Sequence, residues 1–302
     1  MTLFLIELRK MSDRLKPLKN FLSTLSTFAN FFKSAKLPIT IVIVWLFSLI
    51  LFSATEVKAG PLADRVAKFP NWQTKPPVTS AKGDLIYPNW MAGTWQVTST
   101  LVDMVAPLAP DIVTPGFEGN RRYLNQPISF LVRFQEATEN AYKTQNDNSI
   151  FAKIALFNYV KNIRTSIVAD REFNGSNIAK AVLGESSILS VRVNPENPNR
   201  QTTILPGNLE LISLVTERGS EMLNPEEFIA TEITQQIFNG ESLVYLNEVE
   251  TTTDYRHILP EDKIEADQIT AIYLSPKDPN FFVAGDRPVS LYRYKLELVL
   301  NN

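Results

Sequence analysis

No cysteine occurs anywhere in the 302 residues. That excludes a disulfide framework, a thiolate zinc site, a cysteine nucleophile and a lipidated cysteine. It leaves an oxidising compartment open, because an exported chain can do without thiols. Histidine occurs once, at His257. Histidine is the commonest metal ligand and general base, so this scarcity narrows the chemistry sharply. Glycine patterns for phosphate are missing too. There is no G-x-G-x-x-G, and no Gly-Lys-Ser/Thr follows Thr114-Pro-Gly-Phe-Glu-Gly119. No Gly-X-Ser-X-Gly elbow surrounds Ser176 or Ser186–Ser187. Internal repeats and low-complexity tracts are absent.

What is present is ordinary globular composition, 44% hydrophobic and 21% charged, enough for a sizeable core. The net charge hides an asymmetry. Residues 1–59 hold eight basic and three acidic side chains, a net +5; with the whole chain at −2, the remainder carries −7. An acidic body lacks the basic footprint that nucleic acid requires, so no nucleic-acid partner is expected.

Residues 37–55, LPITIVIVWLFSLILFSAT, contain no charge, and basic residues dominate before them. Positive flanks resist translocation, so the body is expected to cross a membrane while the N-terminus stays behind. Ile39–Phe52 has the length of a signal-peptide core, and Val57-Lys58-Ala59 supplies small residues for a cut after Ala59. Residues 1–59 are therefore read as a cleaved signal. The alternative is an uncut anchor, since nineteen uncharged residues can span the roughly 30 Å of hydrocarbon.

Residues 60–89 are studded with proline (Pro61, Pro70, Pro76, Pro77, Pro88) and read as a linker or N-terminal arm. From residue 90 to 302 the pattern becomes that of one β domain. Trp95–Leu101 alternates apolar and polar positions. Further strands are predicted at Ile128–Phe134, Ile163–Val168, Ile188–Val193, Gln201–Leu205, Leu209–Glu217, Phe228–Phe238, Leu243–Thr251, Lys263–Leu274 and Val289–Leu300. Asn194–Asn199, Pro206-Gly207-Asn208, Asn239-Gly240 and Ser275–Pro279 supply the turns. Two short helices are predicted, Phe151–Val160 and Ser176–Leu183. The expected class is mainly β: an antiparallel up-and-down β-barrel with one or two short helices and an N-terminal signal or transmembrane helix.

Gly93-Thr94-Trp95 opens the first long strand. A Gly-X-Trp in that place resembles the start of lipocalins and related small-ligand barrels. The resemblance implies that Trp95 closes the barrel floor and that an arginine of the last strand, Arg293, packs over its indole. Arg287 is a second candidate, because Arg293 lies on the less apolar face of its strand. Four segments, Tyr87–Trp95, Val113–Phe117, Ala169–Asn174 and Asn194–Arg200, are similar to an uncharacterised family of cyanobacteria and plant plastids. That likeness implies a thylakoid lumen or periplasm and transfers no catalytic residue.

Individual candidates are few. Arg121 and Arg122, beside Tyr123, could hold an anionic headgroup, and Phe117 lies in a loop suited to a barrel mouth. The bland alternative for these arginines is a rim of salt bridges. His257 reads as an exposed loop residue, and Asp170-Arg171-Glu172 and Glu226-Glu227 as solvated charge. No catalytic residue, metal or cofactor is expected. The leading expectation is a non-enzymatic binder of an apolar molecule such as a lipid, pigment or quinone. An assembly role on a photosynthetic membrane complex comes second, and a lipid- or pigment-modifying enzyme third.

Overall fold

A computed structural model of the chain describes residues 60–137, 166–240 and 244–301. The apolar run 37–55 and the helix expected at Phe151–Val160 lie outside these residues. No helix among the described residues is long and apolar enough to cross a membrane.

Among the described residues, eleven antiparallel strands form one curled sheet, a half-barrel. They are β1 (Thr79–Ser80), β2 (Gly93–Val105), β3 (Pro127–Ala137), β4 (Ser166–Ala169), β5 (Ser190–Asn194), β6 (Asn197–Leu205), β7 (Leu209–Asn224), β8 (Glu227–Asn239), β9 (Val244–Ile258), β10 (Lys263–Leu274) and β11 (Ser290–Leu300). The main path runs β4-β3-β2-β11-β10-β9-β8-β7-β6-β5, with the two-residue β1 added beside β7. From β5 to β11 each strand pairs with the next, as the short turns predict; Asn239-Gly240 and Pro206-Gly207-Asn208 fall between paired strands.

The closed barrel expected from the sequence is corrected by this path. β4 and β5 are its two ends and do not pair with each other. The reason is local. After Ala169, at the end of β4, the chain turns into α3 (Arg171–Leu183) rather than into another strand. Asp170 caps that helix by accepting a hydrogen bond from the Phe173 amide at 3.1 Å, so it starts five residues before the serine expected to begin it. It stops at Gly184, whose φ of 97° suits glycine.

The concave face carries Trp95, Val97, Ser99 and Leu101 of β2. A register shift against Arg293 and Tyr294 then brings Met104 to the same side. At one end of the lumen, residues 85–91 fold across the opening. Leu85, Met91, Trp95, Phe134, Phe228, Ile264 and Leu298 make a continuous core there. At the other end, the loop between β2 and β3 holds the short helix α2 (Phe117–Asn120) and packs Phe117 on Leu101, Met104 and Tyr292.

The convex face is covered as well, at its centre. The proline-rich segment is an arm, not a free linker. Its helix α1 (Pro61–Ala67), with Phe69 and Trp72, lies on Ile269, Ala271, Tyr273 and Leu291. Each large side chain buried here contributes roughly 1.5–3 kcal/mol. Arg65 enters with it and reaches Glu250, Tyr273 and the Thr74 carbonyl. Consequently Glu250, Thr252 and Thr231 are sealed although they point away from the lumen.

Candidate functional site: a lumen divided by a helix

The unpaired seam places α3 against the concave sheet, and α3 divides the lumen. On one side a cavity of about 630 Å³ lies between α3 and strands β6, β7 and β8. On the other a cavity of about 320 Å³ faces β2, β3, β10 and β11. Tyr87, Ala169, Asn174, Ile178 and Val182 line both. No residue of α3 is fully buried, and its polar anchors lie in its first turn, so the helix does not fill the space around it. Both volumes fall in the range of small-molecule pockets.

The holding contacts are specific. Arg133 of β3 pairs with Asp170 at 2.7 Å and lies over the Phe173 ring at 4.2 Å. Asn174 accepts from the Arg133 amide at 2.6 Å and donates to its carbonyl. Glu172 accepts from the Val193 amide of β5 at 2.7 Å, which ties the helix to the far edge of the seam. Gly175 leaves room for the Gln201 side chain, whose Nε2 would stand 2.8 Å from a Cβ there.

The floor side of the larger cavity is polar. Arg171 and Arg218 each donate to the same oxygen of Glu232, Oε1, at 2.7 Å. Arg218 also donates to Asn199 and to the Gly83 carbonyl, and Asp84 stands 3.7 Å from Arg171. Burial pulls the Arg171 pKa down, but Glu232 outweighs it, so the guanidinium is held above its ordinary value. Tyr87 is pushed well above the usual phenol range by burial, then by Tyr255 and Glu232. Burial likewise raises Tyr255 to about 12. Both phenols are therefore neutral hydrogen-bonding groups at any physiological pH.

Towards the other end the walls become apolar, with Ile178, Val182, Leu183, Leu205, Leu211 and Phe238. Several of these continue onto the surface, where Val182, Leu183, Leu209 and Phe238 are exposed. The cavity thus opens through an apolar rim.

The residues singled out from sequence fall elsewhere. Trp95 is 1% exposed, packs in the floor core and donates from its indole to the Met91 carbonyl at 2.8 Å. Gly93, at φ 129°, lies against the Leu300 side chain. Arg293 does not pack over the indole. It sits on the convex face, pairs with Asp267 of β10, and has the Phe69 ring 5.3 Å away. The alternation of β11 forces this, because Leu296 and Leu298 face the lumen. Arg287 is bonded to the Val283 and Ala284 carbonyls instead.

Arg121 pairs with Glu118, and Arg122 lies over Tyr123, both on the exposed surface. Phe117 is a buried plug rather than a mouth residue. His257 is corrected from a loop residue to the end of β9, stacked on Trp90 at 5.2 Å and bonded to Asp262 at 2.7 Å. Asp254 and Asp267 stand opposite each other on β9 and β10. Arg256 holds the first, and Arg293 with Lys295 the second. Among the described residues no group of three or more acidic or histidine side chains is placed to hold a metal ion.

The sequence did not disclose Arg171, Arg218 and Glu232 as partners. Arg171 stands on a helix, and Arg218 reaches the face of Glu232 only through the register shift between Val215 and Glu217, so plain strand alternation points to neither.

Residues 79–301 match the model of a family described as "Domain of unknown function (DUF6816)", and the chain belongs to that family. No curated protein and no solved structure matches it.

Proposed function

We propose that this half-barrel is an exported, non-enzymatic carrier that holds an apolar or amphipathic small molecule between α3 and the sheet. One observation carries the reading: a cavity of about 630 Å³ has, towards its mouth, apolar walls that continue into an exposed apolar rim. An unlined or filled lumen would support no such role. The Gly93-Thr94-Trp95 start and the floor position of Trp95 favour a lipocalin-like relationship. The charge-free run 37–55 favours export, and the likeness to cyanobacterial and plastid chains favours a periplasm or thylakoid lumen, with a lipid, pigment or quinone as cargo.

The test is native mass spectrometry and solvent extraction of the chain purified gently from a photosynthetic host. The Ala179→Trp variant, which fills the larger cavity, is treated in parallel. A stoichiometric small molecule on the parent chain and none on the variant is the expected result. A clean mass for both, with no uptake from a lipid and pigment extract, sinks the reading. Equal amounts on both would assign the molecule to another surface and sink it equally.

A second reading, docking on a membrane complex, is favoured by α4 (Phe281–Ala284), where Phe282 is 89% exposed beside the exposed Val283. Cross-linking in isolated membranes with and without Phe282→Ser separates it from the first.

A further inference from the structure

We infer that the larger cavity takes an amphiphile whose head is uncharged and rich in hydroxyls, seated head-inward against Glu232. This rests on the carrier reading above and names the class of its cargo.

The ladder registers order the wall. Arg218 lies opposite Glu232, deepest towards the floor. Further out, Gln201, Ser213 and Gln236 lie side by side across β6, β7 and β8. Beyond them, Thr203, Leu211 and Phe238 form the next such row on the same face. On β8 the cavity-lining positions therefore pass from charged at Glu232 through polar at Gln236 to apolar at Phe238, over about 20 Å at the usual strand rise. The facing helix follows the same order, from Arg171 and Asn174 to Ile178 and then Val182 and Leu183. A molecule with a polar head and an apolar chain matches both walls in only one direction.

The head's charge follows from what the polar end already holds. Two guanidiniums, Arg171 and Arg218, meet two carboxylates, Glu232 and Asp84. An anionic head would have to displace Glu232 from both arginines, and a cationic head would have to displace an arginine. Either leaves a partly buried charge unpaired, which is strongly unfavourable. An uncharged head disturbs neither pair.

Its hydroxyls follow from the unused partners. Both arginines bond Oε1 of Glu232, and Oε2 accepts no hydrogen bond among the described residues. The side chains of Gln201, Thr203, Ser213 and Gln236 line the same cavity and likewise make no hydrogen bond among the described residues. Amides and hydroxyls both donate and accept, as sugar or glycerol hydroxyls do. A carboxylate only accepts and an ammonium only donates, so each would leave part of this row unmatched.

The experiment measures binding of amphiphiles that share one alkyl tail, below their micelle thresholds, to the full chain: an alkyl maltoside, a fatty acid and an alkyl trimethylammonium. The Ala179→Trp chain supplies the background from surfaces outside the cavity. The maltoside is expected to bind at least tenfold more tightly than either charged analogue. Gln236→Leu combined with Ser213→Ala should abolish that preference while leaving uptake of the tail. Glu232→Gln should shift the preference towards the fatty acid. Equal or tighter binding of the fatty acid by the parent chain overturns the head assignment and leaves the carrier reading standing. A maltoside preference unchanged in the Gln236/Ser213 variant, which keeps the ion pairs, also overturns it. Uptake of none of the three above background overturns the carrier reading itself.

Discussion

Arg65 and Glu250, 185 residues apart, meet in a two-pronged ion pair: Nε on Oε1 and Nη2 on Oε2, each at 2.6 Å. Glu250 is 0% exposed, and Thr252 and the Tyr273 hydroxyl complete its shell at 2.8 and 2.7 Å. The guanidinium also lies 3.7 Å over the Trp72 ring. The pair fastens the N-terminal arm to the convex face. Removing one partner leaves the other buried without its counter-charge. Arg65→Ala should cost about 3–5 kcal/mol. Exchanging both residues for apolar ones of similar size should cost far less. Urea denaturation of the three proteins decides it, and equal losses for the single and double changes would show that packing, not charge, holds the arm.

Trp95 and Arg293 lie on opposite faces of the sheet, and their energetics should be independent. Trp95→Ala should cost about 3–5 kcal/mol as a fully buried aromatic. Arg293→Ala should cost about 1 kcal/mol, since Lys295 still holds Asp267. A double-mutant cycle should add within about 0.5 kcal/mol. A larger coupling would restore the cation–π contact that the Gly-X-Trp start suggested.

Asp254 and Asp267, paired across β9 and β10, should respond to pH in opposite senses. Burial raises Asp254, aided by Glu227 and Asp267 and opposed by Arg256. Its Oδ1 is buried without a partner. Burial also pushes Asp267 upward, but Arg293 and Lys295 overcome it and hold the carboxyl below its ordinary value. A raised carboxyl contributes stability below its unfolded pKa and loses it as pH rises through the folded one. A lowered carboxyl contributes above its unfolded pKa and loses it as pH falls through the folded one. Asp254→Asn should therefore gain stability over the parent near neutrality and lose that advantage in acid. Asp267→Asn should lose most near neutrality and converge with the parent in acid. Stability curves at three pH values suffice, and parallel behaviour of the two variants contradicts the assignment.

Much of the sheet is legible in the sequence. Lys263–Leu274 is the strand its alternation predicts, residue for residue. Others run longer: β7 reaches Asn224 and β9 reaches Ile258. The Asn-Pro-Glu-Asn-Pro-Asn stretch is mostly strand, with Asn197, Pro198 and Asn199 already in β6. Turn residues mark where a strand can end but do not oblige it to.

The candidate site is much less legible, and the cause is burial on both faces. Alternation distinguishes inside from outside only when one face meets water. Here Glu250, Thr252 and Thr231 are polar yet sealed under the arm, while Gln201, Ser213 and Gln236 are polar yet turned to the lumen. Read linearly, both sets resemble solvated positions. Asp170-Arg171-Glu172 likewise looks like surface charge. In the fold each has a separate partner: the helix amide, Glu232 and the Val193 amide.

A closed barrel fixes its bore by strand number and stagger, so any change of bore disturbs every ladder. In this chain the thirteen residues of α3 stand where the closing strands would be. Side chains at Ile178, Ala179 and Val182 can be exchanged, enlarging one compartment or shrinking the other, without breaking an inter-strand hydrogen bond. The sheet acts as a fixed frame and the helix as a replaceable insert. Within the family, differences in the size of the two compartments should be written on one short stretch of chain, and grafting that stretch between members is a direct way to transfer them.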